Sequence, residues 1–252
     1  MRFLIIFATG TLLGCATADQ VHALEQRVDA LEMELNEHPS IIIQADGTTT
    51  AATTVEPTGT GGNESEASQL VEDIRSKIAS GEAIEAKALF ERLRTNHGGT
   101  EAFARAERLG RELAVVNNRV TTEEVTDGFE EWYTAEEEVS LDSGITLLVF
   151  FEQWCPHCAT HVPHLVETYN TYRDQGLRIV GLTKASRGTT REQMLGFIQE
   201  HDLNFPVVRE DSSVSNLFSV SGVPAAAIVK DGRIVWRGNP AQLRDSAWAN
   251  LI

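Results

Sequence analysis

Basic side chains are scarce in this 252-residue sequence: 21 Lys and Arg stand against 37 Asp and Glu, a formal charge of −16. Nucleic-acid backbones are bound by clustered Lys and Arg, so this deficit argues against a nucleic-acid partner and leaves an acidic, well-solvated surface. Long hydrophobic runs are missing too. The apolar stretch Phe3 to Leu13, behind Arg2, is too short for a bilayer span of about 20 apolar residues and reads as an export signal. Cysteine is sparse, with only Cys15, Cys155 and Cys158. An odd number in an exported chain leaves one thiol to explain, and the three divide into one near the start and two close together. What is abundant is ordinary: 42% apolar and 23% charged residues, the composition of a soluble globular protein.

The export signal ends in Leu12-Leu13-Gly14-Cys15, which resembles the bacterial lipobox. The resemblance implies a lipoprotein signal peptide over 1–14, diacylglycerol on the Cys15 thiol, and Cys15 as the mature N-terminus. Two or more acyl chains, at about 0.8 kcal/mol per buried methylene, anchor a protein stably. Ala16 stands where the family's inner-membrane retention signal has Asp. That favours the outer membrane, with the protein in the cell envelope on the periplasmic side. The alternative is a small buried Cys in an ordinary signal peptide.

Four segments follow. Residues 15–38 hold the anchor and a helix in which Val21, Leu24, Val28, Leu31 and Leu35 keep a/d heptad spacing, with Arg27 and Glu32 placed for an interhelical charge pair. The seam over residues 21–35 points to a homodimer or trimer, helped by co-anchoring in one membrane; a lone helix lying on lipid is the competing reading. Residues 39–64 form a Thr- and Gly-rich linker whose flexible chain spans roughly 25–30 Å. Residues 65–118 read as three helices: one with Leu70, Ile74 and Ile78, one with Ile84, Ala88, Phe90 and Leu93, and one opened by Thr100 and carrying Phe103, Ala106, Leu109, Leu113 and Val116. Gly81 to Leu93 resembles part of a tetratricopeptide hairpin. With fewer than three repeats it should pack on its neighbour, as a spacer rather than a docking site.

Residues 120–252 alternate strands and helices. Ile145 to Phe151 is a continuous apolar run, as a buried strand requires. A helix from Pro156 to Gln175, a strand at Leu177–Leu182, a helix at Thr190–His201, an extended Pro206–Val208 and a short helix at Ser212–Phe218 follow. Strands at Ala225–Val229 and Ile234–Trp236 close into a hairpin over Asp231-Gly232, and a terminal helix carries Leu243, Trp248 and Leu251. The order implies an α/β sandwich with a closing antiparallel hairpin.

Trp154-Cys155-Pro156-His157-Cys158 sits where the buried strand passes into a helix. Positions i and i+3 on one helical turn bring two thiols within reach of a disulfide, Cys155–Cys158. Pro156 suits the first turn, where a missing N–H costs nothing. Cys155 meets the unpaired N–H groups and the dipole of the helix N-terminus, which favour its thiolate, the attacking species. Protonated His157 adds to that. Stabilising the thiolate stabilises the reduced form, and each pKa unit raises the reduction potential by about 30 mV, so Pro-His between the cysteines argues for an oxidising couple. The chemistry resides in the thiols themselves, so no cofactor and no metal is expected. Trp154 shields the thiol or contacts substrate, or else packs in the core.

From Val125 to Ile252 the sequence resembles the membrane-attached thioredoxin-like proteins of the TlpA/ResA type. The resemblance is carried by Phe150-Phe151-Glu152-Gln153-Trp154-Cys155, Pro163, Phe205-Pro206-Val207, Gly222-Val223-Pro224 and the hairpin Ile228 to Val235. It implies a thioredoxin-like fold and a thiol–disulfide oxidoreductase acting on protein thiols and disulfides with a membrane redox partner. It also implies a cis Pro224 facing the disulfide, with Val223 pairing to an extended substrate alongside Trp154 and Pro156. Three departures oppose the reductase for cytochrome maturation that the scaffold suggests. Val149 stands where thioredoxins bury an acid, His161 where ResA-type reductants often have Glu, and Pro-His with Val before the cis-proline is the DsbA-type pattern. They favour an oxidase or isomerase. A copper(I) site on the two thiolates, with or without His161, and a non-enzymatic scaffold are the other readings. A four-ligand zinc site through His161 and His164 is opposed by helix geometry, since steps of three turn the last ligand away from the first. A peroxide-reducing site needs Thr three residues before the reactive Cys, and Glu152 is there.

Overall fold

A computed structural model describes residues 63–252. The signal over 1–14, Cys15 and the coil of 15–38, and all but the last two residues of the linker 39–64 lie outside the described residues. Three helices come first: α1 (Glu64–Ala79), α2 (Ala83–His97) and α3 (Glu101–Ala114). Helix α1 starts where the Asn63 side chain accepts the Ser65 N–H at 3.0 Å, with Glu64 and Glu66 in the first turn and Lys77 in the last, as the dipole favours. Its buried stripe is Ala67, Val71, Ile74 and Ile78. Thr100 caps α3, as its position suggested, and the Glu64 carboxylate reaches across to accept the Glu101 and Ala102 N–H groups at 3.0 and 2.9 Å.

One stripe differs from expectation. In α2 the residues turned inward are Ala83, Ala86, Phe90, Leu93 and His97, while Ile84 and Ala88 are exposed. Small alanines face α1 and α3, so the helices approach closely and the bulkier Ile84 is left outside. The approach is tight at Gly110 of α3, where a Cβ would lie 2.2 Å from the Phe90 ring.

The rest is built on one mixed sheet. Helix α4 (Thr122–Thr126) carries a Thr121/Glu124 capping box. After it come β1 (Phe129–Trp132), β2 (Ile145–Phe150), α5 (Pro156–Tyr172, ending in a 3₁₀ turn), β3 (Leu177–Thr183), α6 (Arg191–Glu200), β4 (Val207–Glu210), α7 (Ser213–Leu217), β5 (Ala225–Lys230), β6 (Arg233–Gly238) and α8 (Asp245–Leu251). Strand order is β1-β4-β3-β2-β5-β6, with β2, β3 and β4 parallel and β1, β5 and β6 antiparallel to their neighbours. This is the thioredoxin-like α/β arrangement, preceded by helices. Strand β1 has no counterpart in the sequence expectations; its four residues, FEEW, lack an apolar alternation and pair only with β4. The terminal helix begins at Asp245, after Leu243.

Strand β2 is buried along its whole length because both faces are covered. Ile145, Leu147 and Val149 join a core with α1–α3, α5, α6 and α8, while Leu148 and Phe150 join a second core with Val125, Val214 and Phe218. The 65–118 helices therefore share a core with the sheet. Trp236 of β6, fully buried, donates its indole N–H to the Ile78 carbonyl at 2.8 Å, and the chain after α3 pairs with β6 through Asn117 N–H to Ile234 O at 2.8 Å. Among the described residues, no helix is long and apolar enough to cross a membrane.

Candidate active site

The carboxyl end of β2 delivers the chain into a turn, closed by the Cys155 N–H donating to the Glu152 carbonyl at 3.0 Å. Cys155 then takes the N-cap position of α5 in extended conformation, and its Sγ accepts the Cys158 N–H at 3.2 Å. Pro156 follows in the first turn and is exposed. The sulfur thus occupies the place where an oxygen normally caps a helix, against unpaired N–H donors that favour negative charge. Both cysteines are free thiols and both are buried, Cys158 completely. Burial pushes the Cys158 thiol far above its ordinary value; the hydrogen bond with Cys155 and the charge of Glu152 add to the rise.

Across from the pair, the Cys155 thiol lies 3.8 Å from the Val223 carbonyl, its acceptor, and the Val223–Pro224 peptide is cis. Trp154 is half-buried beside them: its indole N–H donates to Ser186 Oγ at 3.1 Å and the Arg187 guanidinium lies 3.4 Å above the ring. A cavity of about 390 Å³ opens here, lined among others by Phe151, Glu152, Trp154, Ser186, Gly222 and Val223. The structure therefore gathers Trp154, Cys155, Cys158 and Val223 at one place, with Pro224 immediately behind. His157 is exposed on the first turn of α5 and has no hydrogen bond to the Cys155 sulfur among the described contacts.

Two buried carboxylates were not foreseen as part of this site. Val149, where an acid would stand in a thioredoxin, is buried in the apolar core. Glu152 is buried instead and accepts the Lys184 and Ser186 N–H groups, each at 3.0 Å. It thereby holds a turn in which Ala185, Arg187 and Gly188 all have left-handed φ, an arrangement that costs a non-glycine residue about 1 kcal/mol or more. Glu210, also buried, accepts from Ser212 N–H at 2.7 Å and from the Ser215 hydroxyl, which fixes the start of α7. The readable signal was a lone carboxylate in the aromatic stretch just before Cys155; its partners lie in the turn that follows β3 and could not be read.

His161 and His164 line a separate cavity of about 350 Å³ with Leu165, Trp236 and Trp248. Among the described residues, no three His, Cys, Asp or Glu side chains are grouped so as to hold a metal ion.

Residues 123–237 match the model of the AhpC/TSA family. Thiol-disulfide oxidoreductase ResA of Bacillus cereus is 29% identical over 90 residues, which cover 35% of this chain and 50% of that protein. ResA of Oceanobacillus iheyensis is 28% identical over 85 residues, 33% of this chain and 43% of that protein. The chain spans about half the length of the curated relatives it matches. Among solved structures, a thiol-disulfide isomerase from Corynebacterium glutamicum superposes with a TM-score of 0.41 at 22% identity, covering 49% of this chain and 88% of that one. The thioredoxin domain of a thiol-disulfide oxidoreductase from Bacteroides vulgatus gives 0.39 at 22%, covering 44% and 82%.

Proposed function

We propose a function from the premise that residues 123–237 are an AhpC/TSA-family, thioredoxin-like domain homologous to the ResA-type thiol-disulfide oxidoreductases: Cys155 and Cys158 exchange a disulfide with protein substrates at the cell envelope, on the oxidising side. The observation that carries the reading is the Cys155 sulfur as N-cap of α5, 3.2 Å from the Cys158 N–H.

In the oxidising direction a substrate thiolate attacks the Cys155 sulfur of the Cys155–Cys158 disulfide. The new bond is a mixed disulfide, and the pair of electrons leaves on Cys158. Cys158 takes up a proton, which its burial favours. A second substrate thiolate then attacks the substrate sulfur of the mixed disulfide and Cys155 departs as a thiolate, received by the helix N-terminus. The substrate has lost two electrons and two protons, and the reduced pair returns them to a membrane redox partner. Trp154 and the Val223 main chain border the attacking position and receive the extended substrate. Acylation at Cys15 tethers the domain, with the outer membrane favoured over the inner, and residues 21–35 bring two or three copies together.

The reduction potential decides the direction. A couple above about −200 mV is expected for an oxidase or isomerase, whereas a value near −270 mV or below assigns the protein to reduction, including the cytochrome-maturation role. Cys158→Ser should accumulate mixed disulfides through Cys155; absence of any such adduct with a peptide thiol–disulfide pair would remove the exchange function altogether.

A further inference from the structure

Arg237 of β6 is only 2% exposed, yet its hydrogen-bond partners are all main-chain carbonyls. A buried guanidinium with no carboxylate among its hydrogen-bond partners is expensive even with the charge of Glu112 acting on it, and an apolar side chain of similar volume would fill the same space more cheaply. Burial pushes its pKa down to about 10, so it keeps its proton at neutral pH. Four of the five donors of the planar fork are used: Nε donates to Phe218 O at 2.8 Å, Nη2 to Ser219 O at 3.4 Å, and Nη1 to Gly238 O at 3.0 Å and Ala226 O at 3.4 Å.

The position of those carbonyls is what matters. Phe218 and Ser219 follow the last turn of α7, whose unpaired carbonyls attract a cation. Ala226 is the second residue of β5. The segment between them carries Gly222, Val223 and Pro224, and the Val223 carbonyl is the group 3.8 Å from the Cys155 sulfur. We infer that Arg237 is a positioning residue of the active site: its guanidinium clamps both ends of the 219–225 segment and so sets the Val223 main chain against Cys155.

The consequence is chemical as well as structural. A carbonyl aimed at the sulfur accepts the thiol proton and opposes the thiolate. Loosening the clamp lets the carbonyl move away, which frees the Cys155 sulfur of its hydrogen-bond acceptor and leaves the substrate-pairing edge disordered. Lysine keeps the charge but places three donors at one point and cannot span the four carbonyls.

The test uses the full chain with Arg237→Lys and Arg237→Met. Hydrogen exchange should accelerate about tenfold in 219–223 of R237K, with β3 unchanged. Alkylation of Cys155 by iodoacetamide at neutral pH should rise about twofold to threefold, the size of a weak hydrogen bond. These two readouts stand without any disulfide exchange. A third rests on the exchange function: the KM for a peptide disulfide should rise several-fold with kcat changed less. Losing only the positive charge would slow alkylation, so R237M slower than wild type, with R237K at the wild-type rate, overturns the inference. Wild-type exchange in 219–223 of R237K overturns it too. R237K carries the test should R237M fail to fold, and a wild-type protein inert towards peptide disulfides would sink the exchange function alone.

Discussion

The helical layer and the active-site rim are held by opposite means. Helices α1–α3 close on each other and on β6 through apolar stripes, small alanines and the ring of Phe90 over Gly110. The rim around Cys155 is held by buried charge: Glu152 on the N–H groups of the 184–186 turn and Arg237 on the carbonyls flanking 219–225. Apolar packing has no direction and tolerates small adjustments. Charged groups on main-chain partners fix a position to within a hydrogen-bond length, at the cost of desolvation. The disulfide exchange we propose at Cys155 needs the second kind of support.

The comparison can be broken from either side. Cys155→Ser should abolish disulfide exchange, a loss of more than about a thousandfold, while chemical denaturation reports a fold close to wild type. Leu93→Ala, fully buried in α2, should do the reverse. It should cost about 2–5 kcal/mol in urea unfolding, with exchange per folded molecule unchanged. Equal damage to both properties by either variant would merge the two regions into one functional unit. Glu152→Gln turns one acceptor into a donor facing an N–H; a stability loss of about 1–3 kcal/mol is expected, with altered Trp154 fluorescence as the turn bearing Ser186 and Arg187 loosens.

A pH series sharpens the contrast. The folded-state value of the Cys158 thiol is raised above its ordinary 9.0, so its contribution to the stability of the reduced protein is complete below pH 9 and declines as pH rises beyond it. The decline should be at most about 1.4 kcal/mol per pH unit, and Cys158→Ser should flatten it in thermal unfolding of the reduced protein. The smallest effect is expected at Ile84, 47% exposed on α2: Ile84→Ser should stay within about 0.5 kcal/mol of wild type.

Much of the fold was legible along the chain. Ile145 to Phe151 read as a buried strand, which forms over Ile145–Phe150, Thr100 as an N-cap, and Trp154 to Cys158 as two thiols at the opening of a helix. The α2 stripe was misread because Ile84 outweighs Ala83 and Ala86 in any hydrophobic count, whereas packing distance selects the smaller residues. Strand β1 was missed because FEEW becomes a strand only when β4 offers it an edge. Arg237 stands one residue beyond the expected strand Ile234–Trp236, and no pattern in the sequence singles it out.

The amino-acid order by itself determined that Cys155 and Cys158 meet, since two thiols three residues apart at a helix start need only local geometry. Tertiary structure alone decided what surrounds them. Glu152 reaches main chain more than thirty residues away, and Arg237 grips segments on either side of Val223. Such contacts are invisible to periodicity and propensity, because a buried charge is stable only where a distant part of the fold presents its partners.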